Sequence, residues 1–418
     1  MVTVVTDHRM AFSISTTQSV LWDQIRYSGD PKEFAWVLPV RPGTDVEASN
    51  DAWFAALESV SVPTIIGPQR GGGGGCSFGC SSASNSAFGG GQDAGVQVVA
   101  EKVVGPYETV TLRSTDPNAL NQWLGSNGYA IPANIQPTIA AYVKEKFDFI
   151  ALKLRPGQGI RSMRPVRVVY PGADRSLPLR MVAAGVGAQV AITLFVIGEG
   201  RYRTQNFPEL QIEPGDLVWD NAQNRSNYTE LSQAAMGKND GKTWLTEYAR
   251  PLPTMFFDQT YKQACGAEAR DGGLIVGDAG SKDAGDASAD AGDAGADAGD
   301  AGADAGAEAG IDAGSTNQAV CDDLVVATRG LHPQDVWMTR LRANLPAAAL
   351  STDLLLEASP NQEMLGNVFF AQDNPQVRGG SGCTASPKEV IAGTAAEIGA
   401  CGFALLVILR RKKRDAGK

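Results

Sequence analysis

The chain has 418 residues, of which 43% are hydrophobic, and it carries a formal net charge of −10, six cysteines and two histidines. This composition is sufficient for a sizeable core in two or three domains. Outside the last nine residues no basic patch of the kind that binds nucleic acid is present. His8 and His332 leave little room for histidine-based metal or acid–base chemistry.

The first 66 residues are predicted to form strands followed by one helix. The chain opens in strand-like alternation, and residues 20–27 and 34–40 are rich in aromatic and branched side chains, with a Ser-Gly-Asp-Pro turn signal between them. Residues 51–60 have apolar side chains at helical spacing and follow Asn50, a favourable capping residue.

A glycine- and serine-rich loop is predicted over residues 67–95, because this composition cannot bury enough apolar surface to become ordered. Cys76 and Cys80 lie in its middle. A zinc site would need a second pair of ligands, which does not accompany them, so the two cysteines are candidates for a disulfide instead. Ser77 formally occupies the nucleophile position of a Gly-x-Ser-x-Gly motif, but the strand that should precede such a nucleophile is missing. Ser77 therefore supports only the weaker alternative, a hydrolase.

Residues 96–258 are predicted to form the main body of an α+β domain. Helices are expected over residues 116–129, where Asp116 is the cap and Pro117 lies in the first turn, and over residues 135–147. The predicted strands are 96–104, 108–114, 147–157, 164–172, 177–185 and 188–200. Because crossover helices between the late strands are missing, the sheet is predicted to be largely antiparallel rather than doubly wound and parallel.

No catalytic, cofactor-binding or metal-ligating residue is predicted in this body. Gly241–Thr243 has the sequence that ends a P-loop, but Met236 stands where the first glycine is required, so a turn is the better interpretation. Carboxylate pairs are frequent, but the sequence does not indicate which of them converge. Four tryptophans in periodic apolar elements are interpreted as core residues: Trp22, Trp36, Trp53 and Trp123.

Residues 276–315 form a low-complexity repeat of aspartate, alanine and glycine, with ten acidic residues and one lysine between Asp278 and Asp312. Glycine disfavours a helix by about 1 kcal/mol per position, so a disordered, solvated segment is predicted. Calcium binding is disfavoured because the spacing of an EF-hand loop is absent.

Residues 316–360 return to globular composition and are predicted to complete the domain that begins with residues 1–275. Cys265 and Cys321 flank the acidic repeat. Our hypothesis is that they form a disulfide, so that the repeat is a loop of one domain rather than a spacer between two. Closing a loop of this length contributes roughly 4 kcal/mol in the chain-entropy model.

The C-terminus is predicted to anchor the protein in a membrane, after a stalk over residues 361–389. Residues 390–409 contain a single charge, Glu397, and a helix of this length spans about 30 Å, the thickness of a bilayer core. The basic residues within 410–418 predict a cytoplasmic tail and place the large N-terminal part outside the cytoplasm. The alternative is a buried core helix, since the uninterrupted apolar run is only twelve residues long.

Export requires a signal, and the first residues show no basic region followed by an apolar stretch. We therefore expect a start upstream of Met1. An exported domain can form disulfides. Because the number of cysteines outside the anchor is odd, one of them is left without a partner for a disulfide within the chain.

From FAWVLPV onward the chain resembles a bacterial family of unknown function, DUF2330. The segments that carry the resemblance are FAWVLPV, VVGPYETVTL, NALNQWLGSNGYAIP, FIALKLRPG, RPVRVVYPG, TWLTEYARP and LHPQDVWMTRLRANLP. The resemblance covers most of residues 10–350 and implies an exported, cysteine-containing envelope protein. It implies no activity and no site residues.

The C-terminus is similar to the sorting tails of myxobacteria and their relatives. Such tails combine a Gly–Cys motif, a hydrophobic span and an arginine-rich end, which correspond here to Gly382–Cys383, residues 390–409 and residues 410–414.

The sequence thus predicts a membrane-anchored, exported envelope protein with a binding or structural role and no enzymatic activity. An exported hydrolase that uses carboxylates or Ser77 is the alternative. The expected partners are the membrane, through the C-terminal helix, and an extracellular protein or glycan. No cofactor, metal or nucleic acid is expected.

Overall fold

Successive side chains of the central strands are buried on opposite faces of their sheet, so the sheet is covered by other layers on both sides. In β1 (Val4–Ile14), Met10 and Phe12 are buried on one face of the sheet and Ala11 is buried on the other. The computed structural model describes residues 4–28, 35–68, 96–129, 132–159, 162–252 and 313–373. All of them belong to one compact unit.

The largest layer is an eight-stranded sheet. In chain order its strands are β1 (Val4–Ile14), β2 (Gln18–Ser28), β4 (Asp45–Ala48), β9 (Val166–Pro171), β11 (Val186–Glu199), β13 (Glu209–Leu210), β16 (Trp244–Pro251) and β17 (Val336–Pro346). Their spatial order is β13-β16-β17-β11-β1-β2-β9-β4. Neighbours are antiparallel except β1 with β11 and β13 with β16.

A second, four-stranded sheet is antiparallel throughout. Its strands are β3 (Ala35–Val40), β6 (Gln97–Val104), β7 (Tyr107–Arg113) and β8 (Asp148–Leu154), in the spatial order β3-β8-β7-β6. Short strands form three small sheets at the periphery: β5 (Thr64–Ile66) with β19 (Val368–Phe370); β10 (Ser176–Leu177) and β12 (Tyr202–Thr204) with β18 (Leu354–Ala358); β15 (Arg225–Ser226) and β20 (Gln372–Asp373) with β14 (Val218–Asp220).

Four of the helices cover the outer faces of the two sheets. In chain order the helices are α1 (Asp51–Ser61), α2 (Pro117–Ser126), α3 (Gln136–Lys144), α4 (Leu179–Val182), α5 (Tyr228–Met236), the irregular turn α6 (Lys238–Gly241) and α7 (Ala313–Thr328). Helices α1 and α7 share a core with one face of the large sheet, and α2 and α3 share a core with the small one. The inner faces of the two sheets share a third core. The order of layers is therefore helices, large sheet, small sheet, helices.

The predicted α+β class is confirmed at this level: the described residues are rich in sheet, with few helices. The capping residues act as predicted. The Asn50 side chain accepts a hydrogen bond from the Ala52 amide, and Asp116 accepts one from the Asn118 amide. Such bonds satisfy amides that have no partner within the helix.

Two predictions are corrected. Residues 177–185 were expected to form a strand, but Leu179–Val182 form α4, because Asp353 fixes this turn by accepting hydrogen bonds from the Arg180 amide and guanidinium. Residues 361–373 were expected to belong to a stalk. They instead carry β19 and β20, because Phe369 and Ala371 are buried against neighbouring elements.

Several predicted segments lie outside the described residues, including the span 390–409 and nearly all of the two low-complexity segments, 67–95 and 276–315. Within the part of the chain that the structure describes, no helix combines the length and apolarity needed to cross a bilayer.

Candidate functional site

A pocket opens where β6, β7 and β8 of the small sheet meet the end of α2. Strand pairing sets Glu101 opposite Val110, and Glu108 opposite both Val103 and Lys153. Because side chains alternate between the faces of a sheet, Glu101, Glu108 and Lys153 project from the same face. The pocket encloses about 400 Å³. We call it the aromatic–carboxylate pocket.

Two aromatic residues form its inner wall. Trp123 lies near the end of α2, and Gly128 (φ +82°) then reverses the chain, so that the Tyr129 amide donates a hydrogen bond to the Leu124 carbonyl. This stop places the Tyr129 ring against the Trp123 ring, with centroids 6.1 Å apart and an angle of 21° between the planes. Both residues are more than nine-tenths buried.

Two polar atoms of the wall have no hydrogen-bond partner among the described residues: Nε1 of Trp123 and Oε1 of Glu108. The other carboxylate oxygen of Glu108 lies 3.4 Å from Nζ of Lys153. A buried polar atom without a partner costs about 1–3 kcal/mol. Buried side-chain atoms of Asn121, Arg155, Arg201 and Trp244 also have no hydrogen-bond partner among the described residues. Both atoms of the aromatic–carboxylate pocket have almost no accessible surface, so they are buried in its wall rather than open to its interior.

The charge of the pocket acts on Tyr129. Burial raises the pKa of its phenol above the ordinary value, and the negative charges of Glu108 and Glu101 raise it further. The phenol therefore stays protonated and can donate a hydrogen bond. Lys102 also borders the pocket, but its ammonium pairs with Asp45 at 3.1 Å.

A buried ionic cluster lies elsewhere, on β16 and β17. Glu247 receives hydrogen bonds from Arg340 Nε (2.9 Å) and the Tyr228 hydroxyl (2.8 Å), and it forms an ion pair with Arg342 at 2.9 Å. The Glu247 side chain is fully buried. Because both of its oxygens are satisfied within the protein, we assign this cluster a structural role.

A second buried group, Asp323 of α7, is held by three donors. They are Nε1 of Trp22 at 2.7 Å, Oγ of Ser49 at 2.6 Å and the Arg167 guanidinium at 2.7 Å. Burial raises the pKa of this carboxyl despite the donors and the positive charge of Arg167. The arrangement attaches α7 to the large sheet.

His8 and Asp23 form a buried pair between the two sheets, with 3.0 Å between Nδ1 and Oδ1. Asp23 borders a cavity of about 10 Å³, which has room for no more than one water molecule. This pair is too enclosed to serve a substrate.

Most residues singled out from the sequence lie outside the described residues: Cys76, Ser77, Cys80, Cys265, Gly382 and Cys383. Cys321 is 3% exposed on α7 and disulfide-bonded, and its partner also lies outside them. His332 is exposed and pairs with Asp335, and it lines neither the aromatic–carboxylate pocket nor the cavity beside Asp23. Gly241–Thr243 lie in the turn before β16, where Asn239 and Asp240 have positive φ. No group of three or more potential metal ligands occurs in the described part of the chain.

Sequence reasoning assigned Trp123 to the core and did not connect it with Glu108. The local signal was present: the helix stop at Asn127–Gly128 lies between Trp123 and Tyr129 and turns the second ring back towards the first. The position of Glu108 in the pocket depends on the register between β6, β7 and β8, which the sequence did not reveal.

Comparison with known proteins identifies the family. The model of the family described as "Uncharacterized protein conserved in bacteria (DUF2330)" matches residues 3–253, which is more than half of the chain. The chain belongs to this family. No curated protein and no solved structure matches it. The DUF2330 match includes every residue of the aromatic–carboxylate pocket, and it ends before α7 and β17.

Proposed function

We propose that this DUF2330 member is a membrane-anchored envelope protein that binds a small polar ligand in the aromatic–carboxylate pocket, without a chemical step. The observation that carries the proposal is a pocket of about 400 Å³ in which the stacked rings of Trp123 and Tyr129 stand beside the charged side chains of Glu101, Glu108 and Lys153. Pockets of this size with an aromatic wall and a few polar groups are typical of small-molecule sites.

Ligand binding is tested by saturation-transfer NMR and calorimetry on the full chain in detergent. Four probes of different chemistry are offered: methyl β-D-glucopyranoside, choline, acetate and N-acetylalanine methylamide. For any probe that binds, Trp123→Phe replaces the indole of the wall by a smaller ring and so reduces the apolar contact with the ligand. We therefore expect binding to be weaker by up to about tenfold.

Trp219→Phe is the matched control, because Trp219 lies on β14, outside the pocket. We expect this control to retain the affinity of the unaltered protein. If no probe binds, or if every probe that binds does so equally well to the Trp123→Phe variant, the pocket has no ligand-binding role.

The membrane part of the proposal rests on sequence. An apolar run over residues 390–409 followed by basic residues supports a single span with the large N-terminal part outside the cytoplasm. The resemblance of the tail around Gly382–Cys383 to myxobacterial sorting signals supports placement in the envelope.

Localisation is tested on intact cells that express the natural gene. We expect added protease to digest the folded part while mass spectrometry recovers residues 398–409 from the membrane fraction. A protected chain found wholly in the soluble fraction would exclude the anchor.

We also propose that Cys265 and Cys321 are joined by a disulfide. The disulfide-bonded state of Cys321 and the positions of the two cysteines on either side of the acidic repeat support this pairing. We expect non-reducing peptide mapping of the exported protein to yield one cross-linked peptide containing both residues. Recovery of Cys321 linked to any other cysteine would contradict the pairing.

A hydrolase that uses carboxylates remains the second candidate, because Glu101 and Glu108 lie on adjacent strands and line the same pocket. Recovery of a bound ligand intact after long incubation supports the binding role. Cleavage that is lost in both Glu101→Gln and Glu108→Gln would establish the hydrolase instead.

A further inference from the structure

We propose that an exposed apolar face formed by β5 and β19 rests on the surface of the lipid bilayer in which the protein is anchored. This inference rests on the membrane-anchored part of the proposed function and adds a second contact with the lipid. It is independent of the aromatic–carboxylate pocket. It is carried by the composition of the face, by its small area and by the place where the described chain ends.

The face is one side of the two-stranded sheet that β5 and β19 form, and we call it the β5–β19 face. Parallel pairing sets Val368 opposite Thr64. It likewise sets Phe370 opposite Ile66, so these four side chains project from the same side of the sheet. Phe369 lies between Val368 and Phe370 in the chain and is buried on the opposite side.

The β5–β19 face is apolar, uncharged and open to solvent. Phe370 is 69% exposed and Val368 is 52% exposed. Val62 extends the apolar surface: it is also exposed, and its carbonyl oxygen accepts a hydrogen bond from Nδ2 of Asn367, the residue before Val368. Neighbouring apolar side chains that remain exposed in a folded protein mark a surface that contacts a partner or a membrane.

The area of the face favours a lipid surface over a protein partner. A stable protein–protein interface buries about 800 Å² on each partner. Complete burial of a single aromatic side chain removes about 150–250 Å². Phe370 and three smaller, partly exposed side chains therefore supply less area than a stable dimer needs. A contact that only supplements an existing anchor has no such requirement.

The course of the chain brings this face to the membrane. β20 follows β19 directly, and the described part of the chain ends at Asp373. Residues 374–389 separate this point from the apolar run 390–409. A segment of about 16 residues extends to at most about 55 Å, so an anchor in the apolar run keeps the β5–β19 face near the bilayer. Because the tether supplies a high effective concentration, the burial of a few side chains is sufficient.

Photocrosslinking of the full chain in vesicles of palmitoyl-oleoyl phosphatidylcholine tests this contact. One variant carries p-benzoylphenylalanine in place of Phe370, and a second carries it in place of Val368. The matched control carries it in place of Val99, which is 44% exposed on β6 of the small sheet. We expect lipid adducts, measured by mass spectrometry, to be about tenfold more abundant in both variants than in the control, because an apolar side chain at the membrane surface meets acyl chains. Circular dichroism melts show that each variant is folded.

The outcomes separate this inference from the proposed function. Adducts with a second copy of the chain or with residues 374–418, or lipid adducts no more abundant than in the control, would overturn the lipid contact and leave the anchor intact. A chain that does not sediment with the vesicles overturns the anchor and this inference together. The ligand-binding role of the pocket is decided separately by the four probes.

Discussion

Replacing Glu247 with leucine is expected to lower the free energy of unfolding by roughly 3–5 kcal/mol, the usual cost of breaking a buried ion pair by removing one partner. Leucine has a similar volume but leaves the Arg340 guanidinium, whose side chain is 7% exposed, without its carboxylate. Urea unfolding of the full chain in detergent, followed by tryptophan fluorescence, measures the change.

Glu230→Ala provides the matched control for this substitution. Glu230 also pairs with an arginine, Arg225, but both side chains are about half exposed. Ion pairs of this kind contribute little, so no measurable change is expected. Equal effects of the two substitutions would show that burial of the Glu247 cluster does not determine its contribution.

Asp323→Ala is expected to lower the free energy of unfolding by roughly 1–3 kcal/mol, because it leaves the buried indole N–H of Trp22 without its acceptor, whereas Arg167 keeps its ion pair with Glu47. The same urea measurement applies. The neighbouring Asp322→Ala removes an exposed carboxylate that accepts one bond, from Gln318, and should change the stability little.

Asp323 also gives stability a pH dependence of known sign. Its pKa is raised in the folded protein above the ordinary 3.8, so the folded state holds the proton more tightly than the unfolded state. The stability linked to this proton is complete below pH 3.8 and is lost as pH rises through the folded pKa. Asp323→Asn should remove this component of the pH profile, and Asp322→Asn should leave it in place.

The parts of the fold that could be predicted are those whose conformation depends on residues nearby in the sequence. Period-two alternation in β1 and β11, and the caps Asn50 and Asp116, depend on neighbours in sequence and were recognised. The exception, α4, has strand-like alternation, and its conformation is set by Asp353, more than 170 residues away. A contact of that kind leaves no trace in the local pattern.

The candidate site was hidden for the same reason. Trp123 looked like a core residue because its helix is amphipathic, and burial of the ring agrees with that prediction. Its place in a pocket wall becomes evident only together with Glu108, whose position depends on the pairing of β6 with β7 and of β7 with β8.

The position of β17 has a consequence for the order in which the protein can be completed. Val336–Pro346 lie between β16 and β11 in the large sheet, although they follow both strands in the chain by at least 85 residues. A nascent chain that has reached residue 252 therefore presents two open strand edges, and such edges readily pair with other chains. The long acidic repeat is synthesised during that interval, and net charge of this kind favours solubility.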